Sequence, residues 1–371
     1  MARLRRIVAV VRAELGEVLP AYGTAKVLTL AAMLVAIATS SGSVTWRLLH
    51  DAFAHWDAIS YLDIAGNGYP AVLDYHDAFL PGFPLLIKAV SLLTGDLVVA
   101  GIVVSAIAEL AALVAVRQLV LHERDVAIAR FAVWATALAP LGFFLSGVYS
   151  ESTFIAGAAL ALFLVRSGHL RGAALAAAFA TAMRLTGLVL LPVMLVELVR
   201  QRRLRRGAVW LALAPAPLLL YGAYMQVHTG DGLAFLHAQA LPSFGEAAAW
   251  PWDGFRATLA STTPGNDPVN IAIFQRELAA GVAGLVLVVA GWLDRRYPRS
   301  LALYCTLVWL MAVSLTFWRS VPRYDLALFP AVIVVADLSR RAHLLRPLLV
   351  TAAAVVLAWG AFTFAEGGWI G

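Results

Sequence analysis

The sequence predicts an all-α polytopic membrane protein. Of its 371 residues 61% are hydrophobic and 13% are charged, a charged share about half that of an ordinary soluble domain. The apolar residues fall in long blocks, among them 97–116, 204–225 and 345–364. Each block is close to the roughly 20 residues that cross a bilayer as a helix. Backbone groups in lipid must be satisfied within their own segment, which makes these blocks helices. Ten-residue alternating strands are missing, which argues against a porin-like barrel.

Element by element, the expected spans are 22–40, 97–119, 128–146, 151–166, 172–184, 186–199, 207–226, 277–293, 300–317, 322–338 and 346–365, about 11 membrane helices in one domain covering 1–371. The basic stretch 1–12 precedes a span without an A-x-A cleavage site, so it is expected to stay as a cytoplasmic amphipathic lead-in. The segment 85–93 is apolar but too short to cross, and is expected as a juxtamembrane or re-entrant helix. Two long outer loops follow from this layout, 41–96 and 227–276. The second contains Trp250-Pro251-Trp252, a pairing suited to the membrane interface.

Charge sets the sidedness. Most of the 28 Lys and Arg lie at the N-terminus and in 117–130, 166–171, 200–206, 294–299 and 340–346, which the positive-inside rule makes cytoplasmic. The net charge of +6 therefore reads as topology rather than as affinity for nucleic acid. Because 166–171 and 200–206 share a side, the stretch between them must cross an even number of times. Two half-length helices meeting at Arg184-Leu185-Thr186-Gly187 satisfy this; one long helix would invert everything downstream. The single cysteine, Cys305, permits no intrachain disulfide and fits no metal spacing. Composition rich in Ala and Arg suggests a bacterial source.

The outer loops carry the residues able to do chemistry. In His55-Trp56-Asp57-Ala58-Ile59-Ser60-Tyr61, a helix brings Asp57 and Tyr61 to one face. An acid beside aromatic rings at a membrane surface is a candidate general base. The alternative is that Asp57 caps a helix starting at Ala58. Ala78-Phe79-Leu80-Pro81-Gly82-Phe83-Pro84 is a rigid aromatic turn, explicable by chain re-entry alone. In Tyr149-Ser150-Glu151-Ser152 either serine suits a helix cap, while Glu151 is able to orient a sugar hydroxyl. Arg184, with no opposite charge nearby in the chain, is costly unless it faces a polar cavity. A phosphate would suit its planar guanidinium; an outer carboxylate or snorkelling would also satisfy it. Trp318-Arg319-Ser320-Val321-Pro322-Arg323-Tyr324-Asp325 places two more arginines at an outer helix start, for phosphate capture or for local balance of Arg323 by Asp325. Glu109 lies mid-span, with a function or an interhelical partner as its two readings. Asp74, His76 and Asp77 read as a solvated loop before a cation site.

These pieces, in this order, resemble the PIG-V family of mannosyltransferases. The likeness rests on His55-Trp56-Asp57-Ala58, Ile64-Ala65, Gly68-Tyr69, Ala78-Phe79-Leu80-Pro81-Gly82-Phe83-Pro84, Tyr149-Ser150-Glu151, Arg184 with Gly187, and Pro322-Arg323-Tyr324. Bacterial members look similar also around Phe235-Leu236-His237-Ala238-Gln239 and Trp250-Pro251-Trp252. The resemblance implies a GT-C-type helical bundle with its active site at the outer membrane face and juxtamembrane helices in the first outer loop. It implies inverting transfer of mannose from a polyprenyl-phosphate-mannose donor to a lipid or glycan acceptor, with no cofactor and no metal. Asp57 takes the place of the family's loop acid, the general base. Arg184, Arg323 and Arg319 become donor-phosphate ligands, Arg319 lying just outside the matched motif. His55, Trp56, Tyr61, Tyr149, Glu151 and Tyr324 become substrate-pocket residues. A lipid-linked-sugar flippase or a non-catalytic subunit would need a similar cavity. An outer-loop acid and the lack of an inverted repeat favour the enzyme.

Overall fold

The computed structural model describes residues 2–339, 342 and 344–370. Met1 of the basic lead-in, and Arg340, Arg341 and His343 of the basic segment 340–346, lie outside the described residues. Among those described the chain is helical, and its only β-type contacts are two isolated bridges. Four helices are long and apolar enough to cross a bilayer unaided: Arg12–Ser41, Leu97–Glu123, Pro268–Leu293 and Leu345–Ala365. The first belongs to a helix running from Ala2 to Ser41, so the basic lead-in is continuous with the first span.

Local chemistry sets the helix ends. Asp96, Asp125 and Asp267 each accept a backbone N–H from the first turn they precede, at 2.9, 3.0 and 3.2 Å, as N-cap aspartates do. Gly95 closes Gly82–Thr94 in the left-handed region at φ 74°, where glycine has no Cβ penalty.

Three expected spans are interrupted. The segment 128–146 is helical only to Ala137, because Pro140 and the left-handed Leu141 (φ 58°) break it before a short 3₁₀ turn. The segment 207–226 divides into Leu204–Leu211 and Ala216–His228 around Pro215, where a ring without N–H cannot continue the ladder. The segment 322–338 becomes a short helix, a 3₁₀ stretch containing Pro330, and the helix Val332–Leu338.

The stretch between 166 and 200 forms two helices, Leu170–Met183 and Leu190–Arg200, with a 3₁₀ turn Leu185–Val189 between them. Gly187 makes this turn possible. A Cβ there would lie 2.4 Å from the Thr181 backbone nitrogen. The single-helix alternative is thereby excluded.

Leu97–Glu123 packs on Glu151–Arg166, which packs on Leu170–Met183. Buried alanines line these contacts, including Ala158, Ala161, Ala173, Ala177 and Ala180, and small residues let membrane helices approach closely. Glu109 takes the structural reading: its carboxylate meets Lys26 Nζ at 2.5 Å and accepts Ser146 Oγ–H at 3.2 Å.

The basic segments converge at one end. Arg166 binds Glu123 and Glu197 and donates to Ser300 Oγ at 2.8 Å. Arg124 binds Asp337 at 2.8 Å and donates to the Arg296 carbonyl at 3.1 Å. Segments 117–130, 166–171 and 294–299 therefore share a face, and Gln201 and Arg203 join 200–206 to it through the carbonyls of Val165 and Gly168.

Candidate functional site

The site begins in the segment 41–96. Trp56 adopts φ 56° and the helix Asp57–Asn67 starts directly after it, with no side-chain cap. Asp57 is thus the first helical residue and not the cap of a helix starting at Ala58. Its carboxylate turns inward instead. Arg323 Nη1, more than 260 positions away, donates to Asp57 Oδ2 at 2.6 Å. Arg323 also lies 3.3 Å through Nε from Glu151 Oε1, and its guanidinium sits 5.6 Å from the ring centres of Phe144 and Tyr149. Its partners are therefore Asp57 and Glu151, in place of the local balance expected from Asp325.

Arg184 reaches the same carboxylate. Its Nη1 binds Glu151 Oε1, donates to Ser150 Oγ at 3.4 Å, and its guanidinium lies 5.0 Å from the ring of Tyr324. Ser150 occupies the position before the helix Glu151–Arg166, yet its hydroxyl caps nothing. It pairs with the Tyr61 hydroxyl at 2.8 Å. The capping reading of Ser150 gives way to a polar cluster of Asp57, Tyr61, Ser150, Glu151, Arg184 and Arg323. Burial pushes the Tyr61 phenol above its ordinary range, so it is present as a neutral hydroxyl.

The aromatic turn has a positional role. Phe79 and Phe83 each stand 5.0 Å from the ring of Tyr61, edge to face. A Cβ on Gly82 would come within 2.4 Å of the Ala182 carbonyl. The Pro81-Gly82 turn therefore rests directly on the backbone two residues before Arg184, which goes beyond simple chain re-entry.

The other expected residues surround this cluster. The His55 ring packs on Phe364 at 5.6 Å, while its carbonyl accepts the Tyr149 O–H at 3.0 Å. Trp56 is 43% exposed, donates to the Gly368 carbonyl at 3.3 Å and meets Trp369 edge to face at 4.9 Å. Arg319 is committed elsewhere: it donates to the Phe244 carbonyl at 3.0 Å and lies 3.6 Å from Glu246. Asp74 and Asp77 form a capping box, and no group of metal-ligating side chains occurs among the described residues.

A narrow, partly open cleft is lined by Glu151, Arg184, Thr186, Arg323, Tyr324 and apolar neighbours. Both arginines face it while paired to carboxylates. Glu151 Oε2, buried, has no hydrogen-bond partner among the described residues, so it can still accept a hydroxyl.

Two acids escaped the sequence reading. Glu246, in the segment 227–276, is raised from an ordinary 4.5 to about 7 by burial, against the pull of Arg319 and Arg323. Glu277 receives the backbone N–H groups of Ser320 and Val321 at 2.9 and 2.8 Å. An acid at the edge of an apolar run was the available signal for Glu277; nothing local marks Glu246.

The family model described as mannosyltransferase (PIG-V) matches residues 4–203. No curated protein matches the sequence. Among solved structures, the fold is similar to that of the oligosaccharyltransferase AglB of Archaeoglobus fulgidus, in a complex with an inhibitory peptide and a dolichol-phosphate. There the identity is 11% and the TM-score 0.48 over 94% of this chain and 56% of that one. The apo form of the Archaeoglobus fulgidus enzyme aligns at 12% identity and a TM-score of 0.45, over 93% of this chain and again 56% of the other. The present chain thus spans about half the length of the solved structures it matches.

Proposed function

Because the chain belongs to the mannosyltransferase (PIG-V) family, we propose that it transfers mannose, with inversion, from a polyprenyl-phosphate-mannose donor to a lipid or glycan acceptor at the outer face of a bacterial plasma membrane. The observation that carries this reading is the meeting of Asp57 with Arg323 at 2.6 Å, with Arg184 joined to Arg323 through Glu151. An acid able to take a proton stands beside two cations able to hold a leaving phosphate.

In this mechanism Asp57 takes the proton of an acceptor hydroxyl. The freed oxygen attacks the anomeric carbon from the face opposite the phosphate. The bond from that carbon to the phosphate oxygen breaks, and its electron pair stays on the phosphate. Arg184 and Arg323 stabilise the charge that develops there, where fixed positive groups contribute most. Tyr324 lines the cleft in which the sugar would sit, while Tyr61 and Tyr149 back Ser150 and Arg323. Arg319, engaged with the second outer loop, reaches a phosphate only by releasing Phe244 and Glu246.

The convergence of the basic segments at the opposite end supports a cytoplasmic N-terminus and an outward-facing site. The test is incubation of purified protein with labelled polyprenyl-phosphate mannose and a lipid extract as acceptor source, followed by mass analysis. Acceptor-dependent release of polyprenyl phosphate with a mannosylated product is expected. Movement of intact donor across vesicles without any release would replace the enzyme by a transporter.

A further inference from the structure

Arg323 owes its direction to a short, constrained segment. After the helix Arg299–Val313 the chain runs irregularly to Ser320, which sits in the left-handed region at φ 61°, and then turns into the helix Val321–Tyr324. A non-glycine residue there is strained and persists only when its surroundings hold it. Several contacts hold this one. The Trp318 N–H donates to Thr258 Oγ at 2.7 Å and its indole N–H to the Val313 carbonyl at 3.0 Å. The Trp318 ring fills the space a Cβ would need at Gly281, where the nearest ring atom would be 2.3 Å away. The Ser320 carbonyl then accepts the N–H groups of Arg323 and Tyr324, both at 3.0 Å.

The remaining contact is the charged one. Glu277, buried on the helix Pro268–Leu293, receives the Ser320 N–H on one carboxylate oxygen and the Val321 N–H on the other. Both donors belong to the turn that launches Arg323, and charge-assisted bonds of this kind are about twice as strong as neutral ones. Glu277 touches neither Asp57 nor the cleft. Its hydrogen bonds reach the site through the backbone of Ser320 and Val321.

We propose that Glu277 is a positioning residue for Arg323: its carboxylate fixes the Ser320–Val321 turn and so aims the guanidinium at Asp57 and the cleft. The phosphate part of this inference rests on the function proposed above; the aiming of Arg323 at Asp57 does not.

The experiment uses the purified full chain in detergent and farnesyl phosphate as probe. Glu277→Gln leaves one amide N–H facing a backbone N–H, and weakens farnesyl phosphate binding about ten-fold, the loss of one charge-assisted bond. Ser320→Gly alone binds as wild type, since glycine takes φ 61° without a Cβ penalty. Added to Glu277→Gln, it recovers most of the affinity. In an Arg323→Ala background Glu277→Gln causes no further loss. Wild-type affinity in Glu277→Gln, or an equal loss with and without Arg323, would overturn the proposal. If the unaltered protein fails to bind farnesyl phosphate, the phosphate reading fails, and the aiming role is decided by thermal midpoints. Glu277→Gln and Asp57→Asn should then be non-additive, and additivity would overturn it.

Discussion

Asp57→Asn separates catalysis from stability because of what Arg323 retains. In the native site Arg323 is 7% exposed and contacts two carboxylates, Asp57 at 2.6 Å and Glu151 at 3.3 Å, as well as two aromatic faces. The amide introduced by Asp57→Asn still offers a carbonyl oxygen to Nη1, and Glu151 still supplies charge. Arg184 and Arg323 are then left sharing the single charge of Glu151, so the stability cost of Asp57→Asn should be about 1–3 kcal/mol, held below that of a fully broken pair by the retained hydrogen bond. Arg323→Ala is different. It leaves Asp57 without its cation and Glu151 with Arg184 alone, and breaking a buried pair from one side costs about 3–5 kcal/mol. Loss of a general base costs about 10²–10⁴ in rate, which is about 3–5 kcal/mol on the barrier. The assay is the initial rate of polyprenyl phosphate release from labelled donor in membranes carrying the native acceptor, with the thermal midpoint measured on the same purified variants. A hundred-fold or greater loss per folded molecule, at a midpoint lowered but still above the assay temperature, is expected for Asp57→Asn. Near-normal turnover would remove Asp57 as base. Loss of rate in proportion to loss of folded protein would make its role structural.

Further outcomes follow from particular contacts. Gly187→Ala drives a methyl to 2.4 Å from the Thr181 nitrogen. Backbone cannot yield as a side chain does, so roughly 3 kcal/mol of destabilisation is expected, measured by thermal unfolding; a near-native midpoint would mean that the turn relaxes. Glu246, raised to about 7 by burial, holds a proton in the folded protein between about pH 4.5 and 7 that the unfolded chain gives up. Its contribution therefore lowers stability as pH rises through that window, by up to roughly 3 kcal/mol. Arg319, Arg323 and Asp57 face it. Glu246→Gln should abolish this slope in midpoint against pH, and an unchanged slope would assign the titration to another group.

The membrane class was legible because hydropathy is a sum over many residues. The half-length helices were legible because charge parity forced an even number of crossings. The broken spans at Pro140, Pro215 and Pro330 were misread because an apolar run looks the same whether its helix continues or turns. The ordered motifs singled out Asp57, Glu151, Arg184 and Arg323, which the fold brings into contact, but local pattern misassigned Ser150, and gave Asp57 a capping alternative and Arg323 an Asp325 partner that the fold does not use. Capping is a property of neighbours in sequence, whereas these side chains bind partners from distant segments: Tyr61 for Ser150, Arg323 for Asp57. Glu277 was missed for the same reason, since its work is done on the backbone of residues 43 positions or more away.

The pairing pattern also constrains the order of events. Asp57 and Glu151 neutralise Arg323 and Arg184, so the cleft carries no net formal charge among these four groups. An arriving phosphodiester has to displace a carboxylate from a cation it already holds. Glu151 touches both arginines through one oxygen, so a single movement of its side chain exposes both. When the phosphate takes Arg323, the Asp57 carboxylate loses the donor that occupies its Oδ2 and can accept from an acceptor hydroxyl instead. Donor binding thereby frees the base, and the acceptor meets an active Asp57 only after the donor is in place. This exchange gives the Asp57→Asn protein a second signature. With one anionic competitor for Arg323 removed, it should bind farnesyl phosphate at least as tightly as wild type while turning over poorly. Weaker binding in that variant would mean that Asp57 helps to hold the donor, and the coupling of donor entry to base release would fall.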